Sequence, residues 1–416
     1  MTPSRTPRRL LMVMPYHQLV RKAVAAGFEV WSIWDPSLQT DAYLDEVERH
    51  SEELLLVDFS DAYALRALIA ATARAHGIDT VLHLGGEDTM GATVAEAEAL
   101  GLSPNPAESV RRINDKAAMR ELLNENGLSV VRSREVGSVD AVVAAAATFP
   151  TPFVVKPARS SGSRGIALVV DAEDLDEWVV RVRREGLKGP YVLEEYLRGP
   201  EFSVETLTVD GVHHVLGITA KQHTGAPGFV ETGHVFPAQL SQPYESAVRA
   251  TVIGLLDLAG YRFGPAHTEV VLTSRGPRVV ESQTRLGGDR IPALMELATG
   301  FDVESAVFRA LAGEEVEAPT AHRAAAIGFF QLPPGRVESV SGLDELRALE
   351  HVHTLHFPYG PGSVLPATTS SASRHGFVVV DAESPGQARR RIDAARKTVT
   401  VLVREALAAS EKGSIR

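Results

Sequence analysis

The stretch 265–290, PAHTEVVLTSRGPRVVESQTRLGGDR, carries two glutamates, a glutamine and an arginine at spacings that suit metal chemistry. Two apolar runs, 269–272 and 278–281, flank residues 273–277, which contain Ser, Gly and Pro, and this pattern predicts a β-hairpin. With the turn centred on Arg275, Glu269 faces Glu281 and His267 faces Gln283. Directly opposed residues share a sheet face, as do residues two apart along a strand, so Glu269, Glu281, Gln283 and Arg285 project together. Two carboxylates roughly 5 Å apart repel by about 3 kcal/mol at an effective dielectric near 20. A divalent cation removes that cost, and hard oxygen ligands beside an amide suit Mg²⁺ or Mn²⁺. The alternative is a solvated hairpin with polar residues on its wet face.

The elements that would position such a site alternate from the start of the chain. Residues 10–14 form a continuous apolar run, as in a parallel strand buried on both faces. A helix to Ala26, a strand over 28–33, a strand over 54–57, a helix over 62–75 and a strand over 80–84 follow. Residues 1–112 therefore read as a doubly wound α/β domain. The first turn lacks GxGxxG, which argues against a dinucleotide. Gly85, Gly86, Glu87 and Asp88 end a strand and are either a substrate contact or a turn into the next helix.

Ser-Pro-Asn-Pro at 103–106 marks a boundary, after which Asp115 and Lys116 open a helix closed by Gly127. The strand 153–157 ends in Lys156-Pro157, and the small-residue loop 158–165 leads to a second strand over 166–170. Such a hairpin makes a lid whose backbone N–H groups wrap phosphate oxygens. A strand over 191–193 enters Glu194-Glu-Tyr-Leu-Arg-Gly-Pro-Glu201, strands over 202–209 and 217–221 follow, and the next expected element is a long functional loop. Its titratable pair is Glu231 and His234. A helix over 244–259 delivers the chain to the acidic hairpin, and another over 292–297 follows it. From residue 324 the pattern reads as a small α+β unit packed on the catalytic lobe, with helices over 343–349 and 384–408. Its His351, His353 and His356 read as strand or surface residues.

At 416 residues with 44% hydrophobic and 23% charged positions, the chain is long enough for two to four globular domains. The formal charge of −11 is spread without a basic block, which argues against nucleic acid or an anionic membrane surface as partner. The absence of cysteine excludes disulfides, thiolate metal sites and a cysteine nucleophile. The apolar run near the start ends by Pro15, too short for a signal peptide or membrane span, so a cytoplasmic enzyme is expected.

In order, Asp115-Lys116, the strand ending at Lys156 with its Gly/Ser loop, LEEYLRGPE, Glu269, and Glu281-x-Gln283-x-Arg285 resemble the ATP-grasp superfamily. The trailing unit is similar to the tail of its L-amino acid ligase branch. The resemblance implies an N-terminal α/β domain (1–112), a central lid subdomain (113–193), a C-terminal antiparallel-sheet catalytic lobe (194–318) and an α+β unit (319–416). It implies that Lys116 and Lys156 contact ATP phosphates, and that Ser160, Ser161, Gly162, Ser163 and Gly165 belong to the lid over them. Glu194, Glu195 and Leu197 match the hinge whose backbone holds adenine, and Glu201 matches the carboxylate on the ribose. Glu269, Glu281 and Gln283, where the family usually has Asn, match the ligands of Mg²⁺ or Mn²⁺, two ions per site. Arg285 matches the arginine on the transferring phosphoryl group, and Glu231 and His234 match a pair beside the amine substrate. The implied activity is ATP-dependent joining of a carboxylate to an amine, the implied substrates being amino acids or amino acid-like metabolites, through an acyl phosphate with release of ADP and phosphate. Small molecules are the implied partners, with a homodimer as an open expectation. ATP-dependent carboxylation and a catalytically inactive ATP-binding regulator are the alternatives.

Overall fold

A computed structural model of the chain describes residues 8–158, 164–225 and 228–404. Four parallel strands open it: β1 (Arg8–Val13), β2 (Phe28–Trp34), β3 (Glu53–Leu56) and β4 (Thr80–His83), in the order β3-β2-β1-β4. Leu10, Leu11, Met12 and Val13 are all buried because β1 is covered on both faces. Leu10 and Met12 pack toward the helices His17–Ala25 and Val303–Leu311, while Leu11 and Val13 pack toward the helix Ala62–His76.

The second sheet holds β5 (Ser133–Val136), β6 (Phe153–Pro157), β7 (Ala167–Val169) and β8 (Tyr191–Glu195), ordered β5-β8-β6-β7. It is backed by Trp178 and Val182 of the helix Ala172–Glu185. Next come β9 (Glu201–Val209), β10 (Val212–His223), β11 (Glu231–Phe236), β12 (Gly264–Thr273) and β13 (Gly276–Gln283). The last strands are β14 (Ala324–Phe329), β15 (Gly335–Ser341), β16 (Val352–His356), β17 (Val364–Leu365), β18 (Phe377–Ala382) and β19 (Thr400–Arg404).

Eight of these form one sheet, ordered β13-β12-β9-β10-β11-β14-β18-β16. Strands from 319–416 thus extend the large sheet and are continuous with it rather than laid against it. One face is apolar: Phe202, Val204, Ile218, Ala220, Val270 and Val279 meet Val248, Val252, Leu255 and Leu256 of the helix Gln242–Ala259. Each such aliphatic side chain contributes roughly 2 kcal/mol of burial. The opposite face is polar where it carries the site.

Three sequence expectations differ from the structure. Residues 231–236 are a strand rather than loop, since Gly233 and Pro237 hide an alternation that β10 and β14 complete from either side. The last helix is Pro385–Thr398, shorter than 384–408, because β-branched TVTVLVR beyond it alternates and pairs as β19 with β15. The hairpin turn is centred between Ser274 and Arg275, with Thr273 paired to Gly276. A bulge between Glu269 and Val270 then restores the register, so Glu269 still opposes Glu281. No helix among the described residues is long and apolar enough to cross a membrane.

Candidate functional site

The polar face of the large sheet is built by cross-strand registry. Glu281 opposes Glu269, Glu269 opposes Ser203, and Ser203 opposes Thr219. One step along, Gln283 opposes His267 and His267 opposes Glu205, while on the far side Lys221 opposes His234. Opposed residues share a face, so nine side chains from five strands lie on one face of the sheet. Between the two sheets lies a cleft of about 1080 Å³ including its mouth. Lys116, Lys156, Glu194, Glu195, Leu197, Glu201, Glu231, Glu269 and Glu281 all line it, as do Arg164, Lys221, His223 and Phe229.

Charge balance explains why so many carboxylates sit together. Lys221 is at the centre, with a side chain 4% exposed and Nζ 2.8 Å from Glu201, 3.8 Å from Glu231 and in contact with Glu269. Burial opposes its charge, yet Glu201, Glu269 and Glu231 hold its ammonium pKa well above the ordinary lysine value. Burial would raise the Glu269 carboxyl, but Lys221 and His267 hold it well below the usual range. His267 bonds Glu205 through Nδ1 at 2.7 Å, and that carboxylate overcomes burial to keep the imidazole pKa at about 9. Lys116 lies 3.0 Å from Glu281. The repulsion expected between Glu269 and Glu281 is therefore offset by two lysines, and the pair by itself does not require a metal.

The donor set still fits a divalent cation. Gln283 is buried, its Nε2 is 3.5 Å from Glu281, and its Oε1 has no hydrogen-bond partner. A buried carbonyl oxygen without a donor is costly unless something electropositive meets it. Ser203 Oγ and Thr219 Oγ1 on the same face also lack partners. Among the described residues no three acidic or histidine side chains form a self-sufficient metal cage, so phosphate oxygens would have to complete the coordination.

The lid side is anchored by Arg120, which is 1% exposed. It donates to Glu194 at 2.9 Å and to the Val279 carbonyl at 2.6 Å, tying the lid sheet to the hairpin. Lys156 reaches the other Glu194 oxygen at 2.6 Å. Burial would raise that carboxyl, but Lys156 and Arg120 hold it at about 2. Glu194 is thus committed through its side chain to Lys156 and Arg120. Glu195 pairs with Arg275 at 2.9 Å. Gly199 carries φ +156, and a Cβ there would lie 2.0 Å from the Leu272 carbonyl oxygen, so the hinge requires glycine to lie on the hairpin. Asp115 caps the helix Lys116–Glu125, which sets Lys116 at its first turn.

Other sequence candidates lie elsewhere. Ser160, Ser161, Gly162 and Ser163 fall outside the described residues. Gly165 accepts a bond from Trp178 at 2.8 Å, behind the cleft wall formed by Arg164 and Ile166. Arg285 does not continue the strand face, because β13 ends at Gln283; its guanidinium donates to the Leu286 carbonyl at 2.9 Å. His234 pairs with Asp289 at 2.9 Å rather than with Glu231, whose carboxylate accepts from Ser371. Gly85 packs on the Met14 carbonyl, and His83 bonds Thr89 at 2.6 Å, so this turn is built into the N-terminal domain.

Residues 149–293 match the family described as ATP-grasp domain, and 328–404 match the L-amino acid ligase C-terminal domain 2. The chain carries an ATP-grasp domain followed by an L-amino acid ligase C-terminal domain 2. L-amino acid ligase from Bacillus licheniformis shares the ATP-grasp fold, with a TM-score of 0.81 at 24% identity over 97% of this chain and all of that one. The uncharacterized protein y4rH of Sinorhizobium fredii is 30% identical over 71% of this chain. Alanine–anticapsin ligase of Bacillus subtilis is 24% identical over 53% of it. The chain spans 62% and 52% of the lengths of these two relatives.

Sequence reasoning did not mark Lys221, Arg120, Glu205, Asp289, Ser371 or Arg374 as site residues, and gave His267 only its place opposite Gln283. Lys221 had a usable signal: it lies two residues beyond Thr219 on the strand that continues the sheet. Arg374 had none, being 85 residues from the Asp289 it grips.

Proposed function

We propose that the protein is an ATP-dependent carboxylate–amine ligase that joins two amino acids or amino acid-like metabolites. The reading rests on one observation: opposed Glu269 and Glu281, with the unpartnered Gln283 oxygen beside them, share a cleft with three nearly enclosed lysines. That arrangement suits a polyphosphate with its cations. The substrate class follows from alanine–anticapsin ligase, whose name joins one amino acid to another compound, and from the matched carboxy-terminal domain.

In this reading Lys116, Lys156 and Lys221 hold the phosphates, Glu201 holds the ribose, and the backbone of 194–197 meets adenine between Val154, Ile166, Leu197 and Val271. Glu269, Glu281 and Gln283 would hold Mg²⁺, as two ions, which when bound neutralise charge on the β- and γ-phosphates. Each lysine is now held by a glutamate, Lys116 by Glu281 at 3.0 Å and Lys221 by Glu201 at 2.8 Å. ATP binding exchanges these pairs for lysine–phosphate and glutamate–cation pairs, so no charge is stranded in the cleft. The donor carboxylate attacks the γ-phosphorus, giving an acyl phosphate and ADP, with Arg285 steadying the transferring group. Glu231 and His234 receive the amine, which displaces phosphate. Catalysis is positioning and charge neutralisation, and needs no side-chain nucleophile.

The test is an amide-product screen by mass, with ATP, Mg²⁺ and amino acid pairs, using ¹⁸O-carboxyl donors. One labelled oxygen is expected in the released phosphate. Label in AMP with pyrophosphate release would replace the acyl phosphate by an adenylate.

A further inference from the structure

The carboxy-terminal unit joins the sheet that carries the site at β11, the side that the ligase reading gives to the amine. Ser371 and Arg374 belong to the segment between β17 and β18; Ser371 reaches Glu231, which lines the cleft, and Arg374 reaches Asp289. Ser371 donates to Glu231. Arg374 grips Asp289 with both arms of its guanidinium, Nη1 to Oδ2 at 2.8 Å and Nη2 to Oδ1 at 2.5 Å. Asp289 Oδ2 also accepts from His234 Nε2 at 2.9 Å.

This chain of contacts is locked at each link. The Arg374 guanidinium lies over the Phe329 ring, 3.5 Å from its centroid, and Nε donates to the Ser371 carbonyl at 2.8 Å. Phe329 belongs to β14, the neighbour of the strand that carries His234. Asp289 has φ 50 and Arg290 φ 61, left-handed conformations that residues with a Cβ rarely adopt. Such backbone persists where surrounding contacts over-determine it, and it concentrates at functional sites. Burial would raise the Asp289 carboxyl, but His234 and Arg374 keep it well below the usual range. An ionised carboxylate only accepts, so the hydrogen on His234 is fixed at Nε2. The other ring nitrogen, Nδ1, is buried without a partner.

We propose that Arg374 is a positioning residue for the second half-reaction, acting through Asp289 to hold His234 with the Nδ1 lone pair ready for the amine. The proposal rests on the ligase reading. An amino acid arrives as an ammonium and cannot attack until it loses a proton. His234 Nδ1 takes that proton, and the freed nitrogen pair forms the C–N bond at the acyl carbon. The C–O bond to phosphate breaks, its electrons leave with phosphate, and the departing phosphate takes the second nitrogen proton. His234 then releases its proton to solvent. Formation of the acyl phosphate uses none of this, because a carboxylate needs no deprotonation.

Hydroxylamine separates the two halves. It is largely unprotonated near neutral pH and traps acyl phosphates without a base. Wild type is given ATP, Mg²⁺ and each proteinogenic amino acid as donor, with either hydroxylamine or a second amino acid as acceptor. Arg374→Gln and Asp289→Asn are expected to keep hydroxamate formation within about threefold. Their amide formation should fall about 10²-fold or more, as when an orienting carboxylate is lost and the imidazole adopts the wrong tautomer. Arg374→Lys, which keeps the charge but loses the planar fork, should fall between. Equal loss of hydroxamate and amide in both variants, or loss of neither, overturns the proposal. Should Arg374→Gln fail to fold, Asp289→Asn, which preserves shape, decides alone. If wild type yields no hydroxamate and no amide, the ligase reading itself fails and this proposal with it.

Discussion

Lys221→Met removes the cation at the centre of the cleft while keeping an unbranched stem of similar length. Nζ lies 2.8 Å from Glu201 and 3.8 Å from Glu231 and touches Glu269. At an effective dielectric near 20, those two distances correspond to attractions of about 6 and about 4 kcal/mol. Dehydrating the ammonium offsets several kcal/mol of that sum, and breaking such a buried group from one side costs about 3–5 kcal/mol net. The cost arises because three carboxylates stay behind. For a unit of about 150–250 residues, the size class of the lobe that carries the large sheet, each kcal/mol shifts Tm by about 2–4 °C. A fall of about 6–20 °C is therefore expected in a thermal melt. Millimolar Mg²⁺ without ATP should recover part of it in the variant and do little for wild type, where Lys221 already holds Glu269. A variant that melts within about 2 °C of wild type, with the same Mg²⁺ response, would refute the ionic account of this sheet face.

Glu281→Gln should reduce turnover by more than about tenfold and abolish the rise in Tm given by Mg²⁺·ATP; a variant that keeps both excludes Glu281 as a metal ligand. Lys156→Ala should raise the KM for ATP roughly tenfold or more, charged hydrogen bonds being worth about 1.5–3 kcal/mol, and change the amino acid KM less. ATP kinetics equal to wild type would reduce Lys156 to a partner of Glu194. Burial pushes the His83 imidazole pKa down to about 3. A folded state that binds fewer protons than the unfolded chain loses stability as pH falls from 6.5 toward that value, about 2 kcal/mol between pH 7 and pH 5. His83→Asn should flatten this acid slope in urea titrations at the two pH values, and an undiminished slope counts against His83 as its source.

The hairpin was legible because period-two patterning and turn residues are local. Its register was legible for a less secure reason: the turn is one step tighter than expected, and the bulge beside Glu269 takes up the difference. The lysines of the lid and first helix were legible because each ends a strand or starts a helix next to other marked residues. Lys221 offered only its place two residues beyond Thr219, since its meaning depends on Glu201, Glu231 and Glu269 arriving from three other strands. Arg374 and Ser371 were hidden for the same reason at longer range. Their loop has no pattern of its own, and only the pairing of β14 with β11 brings it to the site. A strand such as β11, broken by Gly233 and with one of its two partners, β14, far along the chain, reads as loop until that partner is known.

The continuous sheet also has a consequence for how such enzymes diversify. In the ligase reading the nucleotide side draws its groups from Lys116 to Glu281, whereas the far side depends on β14, β18 and the segment before β18. Removing everything after residue 318 would turn β11 into a free edge, with open N–H and C=O groups beside His234. A different tail that pairs with β11 would bring other side chains over Glu231 and Asp289 while leaving the ATP half intact. New acceptor chemistry would then come by exchanging a cover rather than by rebuilding an active site.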